Sequence, residues 1–453
     1  MLYALLKIIV KLALKVFYKE VRVQIKGNLP ATGPLIVVAN HPNTFMDPIV
    51  IAAMLKQQVY FLAKGSFFKS PLAAWVLKGM NMIPIYRKED DPGKNPDNRA
   101  TFAKCYEFLA GKGTLLIFPE GTSVNERRLR QLKTGTARIA LGFEAENNFE
   151  AGLCILTVGL NYSQANHFRS ELFVNVDEPI QVATFAAAYQ ADPFKAATEL
   201  TELMRIRLEA HLIVTRNEEE DRLVKQIETI YGEQLGQSLG LTPDEAAHEF
   251  QLSQGIVEAI HHFETHQPEK LADLQRHLED YWGKLQKLNL RDETVEASGK
   301  GKQLWSSLGA LLYAVVGFPV YLYGLVNNYV PYIIPSKVAR LITREEVYMA
   351  PIMMVTGIFS FSLFYALQTW AFHQFTGGLG WQTVLYVISL PLSGFLVLHY
   401  WNFVVASYHT WRFRALFQRK SDLIKSLTHK RQQIIQLLQE AKVDYLGTER
   451  GHP

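Results

Sequence analysis

A histidine and an aspartate six residues apart, His41 and Asp47, are the pair in this chain best suited to moving a proton. A neutral imidazole takes a proton from a hydroxyl near neutral pH when a carboxylate holds its other ring nitrogen. Both residues lie in Asn40-His41-Pro42-Asn43-Thr44-Phe45-Met46-Asp47, directly after the apolar run Leu35 to Ala39. Along a regular helix six residues turn the chain by about 600 degrees, which leaves the two side chains far apart in angle. They can meet only across a turn. Pro42 and Pro48 favour one, because the residue before a proline avoids helical torsions. The helix is expected to begin at Pro48, with Asp47 placed both to cap it and to orient His41.

Other blocks could hold an anion beside that pair. Phe118-Pro119-Glu120-Gly121-Thr122-Ser123 follows another apolar run. Gly121 there allows close backbone approach. Glu120 would have to work through a hydroxyl, a basic side chain or the turn's own donors. Arg87 ends a third run, and its planar guanidinium suits two-pronged phosphate recognition. Lys64, after Val59 to Ala63, would add a point charge to the same anion. Ser123 has no evident base beside it and a GxSxG elbow is absent, so no covalent intermediate is expected. His261, His262 and His266 point to different sides of a helix without a completing ligand, so no metal is expected.

The elements that must position these residues are short apolar runs at 35–39, 59–63, 83–86, 114–118, 153–160 and 172–176, with helical stretches such as 98–111 and 129–146 between them. Each chemical block begins where a run ends. The implied fold class for residues 20–190 is α/β, a layered domain with a mixed sheet flanked by helices. Ahead of it, residues 1–19 set Lys7, Lys11, Lys15 and Lys19 at four-residue spacing beside a broad apolar face. That pattern suits a helix lying in a membrane interface rather than a cleaved signal. The other reading is a helix packed on the domain that follows.

The 453 residues allow two or three domains. With 48% apolar and 20% charged residues, the chain is too polar to be wholly intramembrane and too clustered to be plainly soluble. A net charge of +4 gives no sign of a nucleic-acid binder. Cys105 and Cys154 read as buried thiols in a reducing compartment. Residues 191–300 take helical spacing, opened by Asp192-Pro193 and again by Thr242-Pro243-Asp244-Glu245. Residues 301–411 form a membrane region. In it, 347–372 and 383–406 are each long enough to cross a bilayer. Their link lacks Lys and Arg while the outer flanks are basic, which suits a hairpin with both ends in the cytoplasm. The stretch 304–335 carries Pro319, Pro331 and Pro335 and is expected to form a re-entrant or interfacial kinked helix pair, with a single span as the alternative. Residues 412–453 read as a basic cytoplasmic tail containing an amphipathic helix.

Taken in chain order, the blocks resemble those of the glycerolipid acyltransferases, which acylate glycerol-3-phosphate or its mono-acylated product. The order is His41…Asp47, Gly79-x-x-x-Ile83-Pro84-Ile85-Tyr86-Arg87, Phe118-Pro119-Glu120-Gly121-Thr122, then Thr157-Val158-Gly159-Leu160-Asn161-Tyr162. The usual family spacing is His-x4-Asp. The His-x5-Asp of this chain is similar to the fungal-type glycerol-3-phosphate acyltransferases and their bacterial relatives, which carry membrane segments after the catalytic domain. Thr157 stands where the family often has proline, so the fourth block is assigned to the fold rather than to chemistry.

The resemblance implies a membrane-bound enzyme of phospholipid biosynthesis that moves a fatty acyl group from a thioester to a hydroxyl of glycerol-3-phosphate. The alternatives are a lysophosphatidate or dihydroxyacetone-phosphate acyltransferase, a non-catalytic lipid-binding membrane protein, or a thioester hydrolase. His41 would be the base and Asp47 its orienting acid. Arg87, Lys64, Glu120, Gly121 and Ser123 would bind the acceptor. No cofactor is expected beyond the co-substrate, an acyl-coenzyme A or acyl carrier protein thioester. The expected partners are a phospholipid membrane, the donor and the glycerol-phosphate acceptor, with the catalytic domain on the cytoplasmic side.

Overall fold

The structure, a computed structural model, describes residues 2–30, 32–79, 81–85, 98–241, 247–299, 308–377, 380–419 and 421–449. A first compact unit runs to Thr215 and also takes in a short piece ending at Phe250 and Ala339–Met354. It opens with α1 (Leu2–Phe17), β1 (Glu20–Ile25), β2 (Leu35–Ala39), α2 (Met46–Met54) and β3 (Val59–Lys64). Next come α3 (Pro71–Gly79), β4 (Met82–Ile85), α4 (Arg99–Ala110), β5 (Thr114–Ile117) and α5 (Gly135–Glu146). It ends with β6 (Cys154–Tyr162), β7 (Glu171–Val176), β8 (Ile180–Gln181), α6 (Ala186–Ala191) and α7 (Pro193–Glu209).

The strands make one eight-stranded sheet in the order β1-β7-β6-β2-β5-β3-β4, with β8 on β6. β6, β2, β5, β3 and β4 are parallel, and β7 runs antiparallel to β6. Alternation along each strand splits the core between two faces. Val37, Ala39, Leu116, Leu156 and Val158 face one side with α1 and α2, where Leu14, Phe17, Val50 and Ile51 are buried. Ile36, Val38, Leu115, Ile117 and Ile155 face the other, against α4, α5 and α7. A strand covered on both sides needs apolar residues at every position, which is why Leu35–Ala39 is uniformly buried.

One boundary differs from the sequence reading. The α/β unit does not stop at 190. Asp192 caps α7 by accepting from the Phe194 and Lys195 amides, and Ala196, Leu200, Met204 and Leu208 of that helix join the sheet's core. One face of α1 packs on the unit, where Leu14 and Phe17 are buried. Its opposite side keeps Ile8 and Leu12 about two-thirds exposed, at 66% and 64%. Cys105 and Cys154 are free and buried, and burial pushes the Cys105 thiol up to about 12.

The second unit contains α8 (Glu218–Ser238), α9 (His248–His266) beyond Phe250, α10 (Pro268–Leu288) and α11 (Asp292–Gly299). It continues with α12 (Leu308–Ile342) up to Val338, α13 (Met349–Thr376) from Val355, α14 (Gly380–Arg419) and α15 (Ser421–Glu449). The Thr242–Glu245 capping box lies outside the described residues. Among the described residues two helices, Glu346–Thr376 and Gly380–Tyr408, are long and apolar enough to cross a membrane. No described group of three His, Cys, Asp or Glu side chains could hold a metal ion. His261 instead pairs with Glu220, and His262 stacks on His266 at 4.4 Å.

Residues 308–342 form one helix rather than two, with Pro319, Pro331 and Pro335 inside it. A proline removes the amide that would bond the carbonyl four residues back. Gln368 Nε2 donates to the freed Asn327 carbonyl at 2.9 Å, and Ser360 Oγ donates to the freed Pro331 carbonyl at 2.9 Å. The N-terminal half of α12 follows α14 in the opposite direction: Ala314 meets Tyr400, and Asn328 meets Leu390 and Ser393. Its C-terminal half follows α13 in the opposite direction, Asn327 against Gln368 and Pro331 against Ser360. Phe372 of α13 stacks on Tyr386 of α14.

The helix expected in the C-terminal segment is α15, and one face of it is packed. Leu427, Ile434 and Leu438 of α15 are buried, and so is Arg431. The Arg431 guanidinium donates from Nε and Nη2 to Asp292 at 3.0 Å each, and Tyr281 donates to the same carboxylate at 2.6 Å. Removing one partner of a buried pair leaves the other charge stranded, at a cost of about 3–5 kcal/mol. Arg431→Ala is therefore predicted to lower the thermal midpoint in detergent markedly. The triple change Arg431→Met, Asp292→Leu and Tyr281→Phe, which removes the stranded carboxylate together with the hydroxyl that donates to it, should recover much of that loss. Equal midpoints for Arg431→Ala and the parent would refute this account of the buried pair.

Candidate active site

Parallel neighbours end side by side, and this brings the sequence blocks together. In the pairing of β2 with β5, Val38 lies opposite Ile117, and in that of β2 with β6, Ala39 lies opposite Val158. The segments after β2 and β5 therefore leave the same edge, and the last residues of β6 run alongside. Asn40 fixes this corner by pairing with the Leu160 backbone in both directions, at 3.0 and 2.8 Å. The His41 ring then stacks on Phe118 with centroids 3.9 Å apart. Carboxyl ends of strands are where open α/β sheets place their ligands.

Between His41 and Asp47 the chain makes the required turn. Thr44 sits at φ +33, in the left-handed region. The helix starts at Met46, two residues before Pro48, and Phe45 rather than Asp47 occupies the cap position. Asp47 is instead a first-turn residue with no exposed surface. Burying a carboxylate without partners would cost several kcal/mol. Three donors compensate: His41 Nδ1 at 2.8 Å and the Asn43 amide at 2.8 Å on Oδ2, and the Tyr162 hydroxyl at 2.7 Å on Oδ1. Burial first, and then the Asp47 charge, raises the Tyr162 hydroxyl well above its usual range, so it stays protonated and donates. With Nδ1–H committed to the carboxylate, His41 Nε2 carries the free lone pair of the imidazole.

Glu120 is a clamp in this geometry. One oxygen accepts from the His41 amide at 2.9 Å and the other from the Arg130 amide at 3.2 Å. Burial raises its pKa, and the two amide bonds oppose the rise. Gly121 adopts φ +78, and a Cβ there would meet Lys133 Cε at 3.2 Å and Nζ at 3.3 Å. Glycine thus allows both the backbone turn and the close ammonium. Ser123 Oγ accepts from the Thr44 amide at 2.8 Å, and the Val124 amide donates to the His41 carbonyl at 3.2 Å. Arg128 and Arg130 are both paired with Glu126. Lys64 ends β3 opposite Ile85 of β4, at the same carboxyl edge, and its side chain is outside the described residues. Arg87 also lies outside them.

Two participants escaped the sequence reading. Phe118 forms the floor under the imidazole, and Tyr162 braces Asp47 from the fourth block. That block is therefore not confined to the fold. Its Gly159 does serve packing, since a Cβ there would lie 2.2 Å from the His211 carbonyl, and Asn161 bonds the His211 and Ile213 backbone. Its final residue reaches the candidate site.

Comparison with known proteins agrees with the motifs. The Acyltransferase family model matches residues 20–160. Glycerol-3-phosphate O-acyltransferase 1 of Saccharomyces cerevisiae is 21% identical over 480 aligned positions, covering 85% of this chain and 60% of its own length. The chloroplastic 1-acyl-sn-glycerol-3-phosphate acyltransferase LPAT1 of Arabidopsis thaliana is 32% identical over 127 residues, 27% of this chain and 33% of its own. The crystal structure of a 1-acyl-sn-glycerophosphate acyltransferase from Thermotoga maritima aligns at 22% identity and a TM-score of 0.32, covering 45% of this chain and 80% of that one. This chain spans 60% of the yeast protein's length and a third of the plant protein's. With its motif blocks assembled at one sheet edge inside the matched segment, residues 20–160 match an acyltransferase domain, and these relatives are named as glycerol-3-phosphate and 1-acylglycerol-3-phosphate acyltransferases.

Proposed function

We propose that this protein is a membrane-bound O-acyltransferase that moves a fatty acyl group from a thioester donor to a hydroxyl of glycerol-3-phosphate. The observation that carries the reading is the imidazole–carboxylate pair, 2.8 Å apart, over a buried and fully bonded Asp47. His41 Nε2 takes the proton of the acceptor hydroxyl as its oxygen attacks the thioester carbonyl. The C–O bond forms, the C–S bond breaks, and the imidazolium returns the proton to the departing thiolate. Asp47 holds the tautomer and stabilises the imidazolium. Arg87 and Lys64, with the Glu120–Gly121 turn and Ser123 beside it, bind the acceptor's phosphate end. The donor is a coenzyme A or acyl carrier protein thioester, and no other cofactor is needed.

The yeast relative, whose alignment covers 85% of this chain, is a glycerol-3-phosphate O-acyltransferase, which favours that acceptor over lysophosphatidate or dihydroxyacetone phosphate. The apolar helices Glu346–Thr376 and Gly380–Tyr408 support a membrane hairpin. We place the catalytic domain on its basic, cytoplasmic side. The deciding experiment is release of free thiol from acyl-coenzyme A by purified protein, with each of the three acceptors and with none. Release that needs no acceptor would make the protein a hydrolase, and no release under any condition would end the proposal.

Tyr162→Phe tests the brace behind Asp47. It deletes a hydrogen bond to a charged group, a contribution of about 1.5–3 kcal/mol, so kcat should fall roughly 10- to 100-fold. The loss is one of position, because Asp47 keeps its charge but no longer has the hydroxyl that holds Oδ1 in place, and a parental kcat in Tyr162→Phe would count against Tyr162 acting through Asp47.

A further inference from the structure

Thr44 is the residue of the catalytic turn that the proposed chemistry does not use, and it is held against its own preference. A β-branched residue at φ +33 is a backbone outlier costing on the order of 1–3 kcal/mol, and it persists only where its surroundings fix it. Two anchors do so. The Thr44 amide donates to Ser123 Oγ at 2.8 Å, and the Thr44 hydroxyl donates to the Val347 carbonyl at 2.6 Å. Val347 belongs to the connector between α12 and α13, whose residues from Ala339 to Met354 lie in the same compact unit as the site. Asn166 donates to Glu346 at 3.1 Å, Phe45 lies 6.3 Å from Tyr348 ring to ring, and Ala350 and Met354 are buried in the core beside Met46 and Ile51. The connector is thus built into the catalytic unit at the turn.

We propose that Thr44 is a positioning residue that makes this connector part of the active site: the Val347 carbonyl fixes the turn that keeps His41 on Asp47. The inference rests on the acyltransferase reading and deepens it, by making seating of the α12–α13 connector a condition of activity.

Thr44→Gly separates anchor from turn, because it removes the hydroxyl and the left-handed penalty together. A residue needed only for the turn would be replaced by glycine with no loss. An anchor predicts a kcat about tenfold lower, the size of one buried hydrogen bond, with KM for the acceptor little changed. Faster amide exchange at residues 347–350 should accompany it. Thr44→Ser, which keeps the hydroxyl, should stay within about threefold of the parent by the same energy scale. All three proteins are compared at full length in phospholipid vesicles. Parental kcat in Thr44→Gly, or unchanged exchange in the connector, overturns the proposal. The exchange measurement needs no turnover, so it still decides the anchor if the parent protein transfers no acyl group.

Discussion

Protein carrying His41→Ala should fold normally and lose acyl transfer by about 10²- to 10⁴-fold, the usual contribution of a positioned general base. The change is mild for the fold. The imidazole is partly exposed, with 17% of its side-chain surface accessible, and its ring rests on Phe118 rather than filling a closed cavity. Asp47 keeps the Asn43 amide and the Tyr162 hydroxyl, so its carboxylate is not left bare. The Glu120 clamp grips the His41 backbone amide, which survives the substitution. Thiol release in the presence of glycerol-3-phosphate measures the loss, and the thermal midpoint of the same sample checks the fold. Parental turnover in a well-folded His41→Ala protein would remove the imidazole from the mechanism.

What could be read from residue order alone follows a physical line. Leu35–Ala39 is legible because a strand covered on both faces must be apolar throughout. β1 is not, because Glu20, Arg22 and Gln24 alternate with half-exposed Val21, Val23 and Ile25 on the edge of the sheet. Its partner, β7, is also remote in sequence. α2 starts two residues before Pro48, which residue order does not reveal because nothing in a threonine announces a left-handed torsion. That torsion at Thr44 lets the Met46 amide bond Asn43, and the helix begins there. Asp47 then lies in the first turn, where an acid suits the helix dipole. Long-range polar pairing stays hidden as well. Arg431 reads as one more surface cation until Asp292, 139 residues earlier, is seen beneath it. Tyr162 reads as the end of an apolar strand until its hydroxyl is found 2.7 Å from Asp47.

Asp47→Asn is the more informative change, because it preserves shape and removes charge. The amide has two orientations. With its nitrogen in the Oδ2 position it would oppose the Asn43 amide donor and force His41 Nδ1 to accept, which is the wrong tautomer. With its nitrogen in the Oδ1 position it meets the Tyr162 hydroxyl, which can rotate to accept, and every partner stays bonded. The second orientation should prevail, so the fold should survive. The imidazolium formed during catalysis then loses its buried counter-charge. By the 3–5 kcal/mol scale for breaking such a pair, kcat should fall roughly 10²- to 10⁴-fold. Tyr162 holds in place a charge that is no longer present, so adding Tyr162→Phe to Asp47→Asn should lower kcat little further. A double-mutant cycle reads this directly. Full additivity would mean that the tyrosine acts elsewhere, and an active Asp47→Asn protein would mean that the imidazole works without its acid.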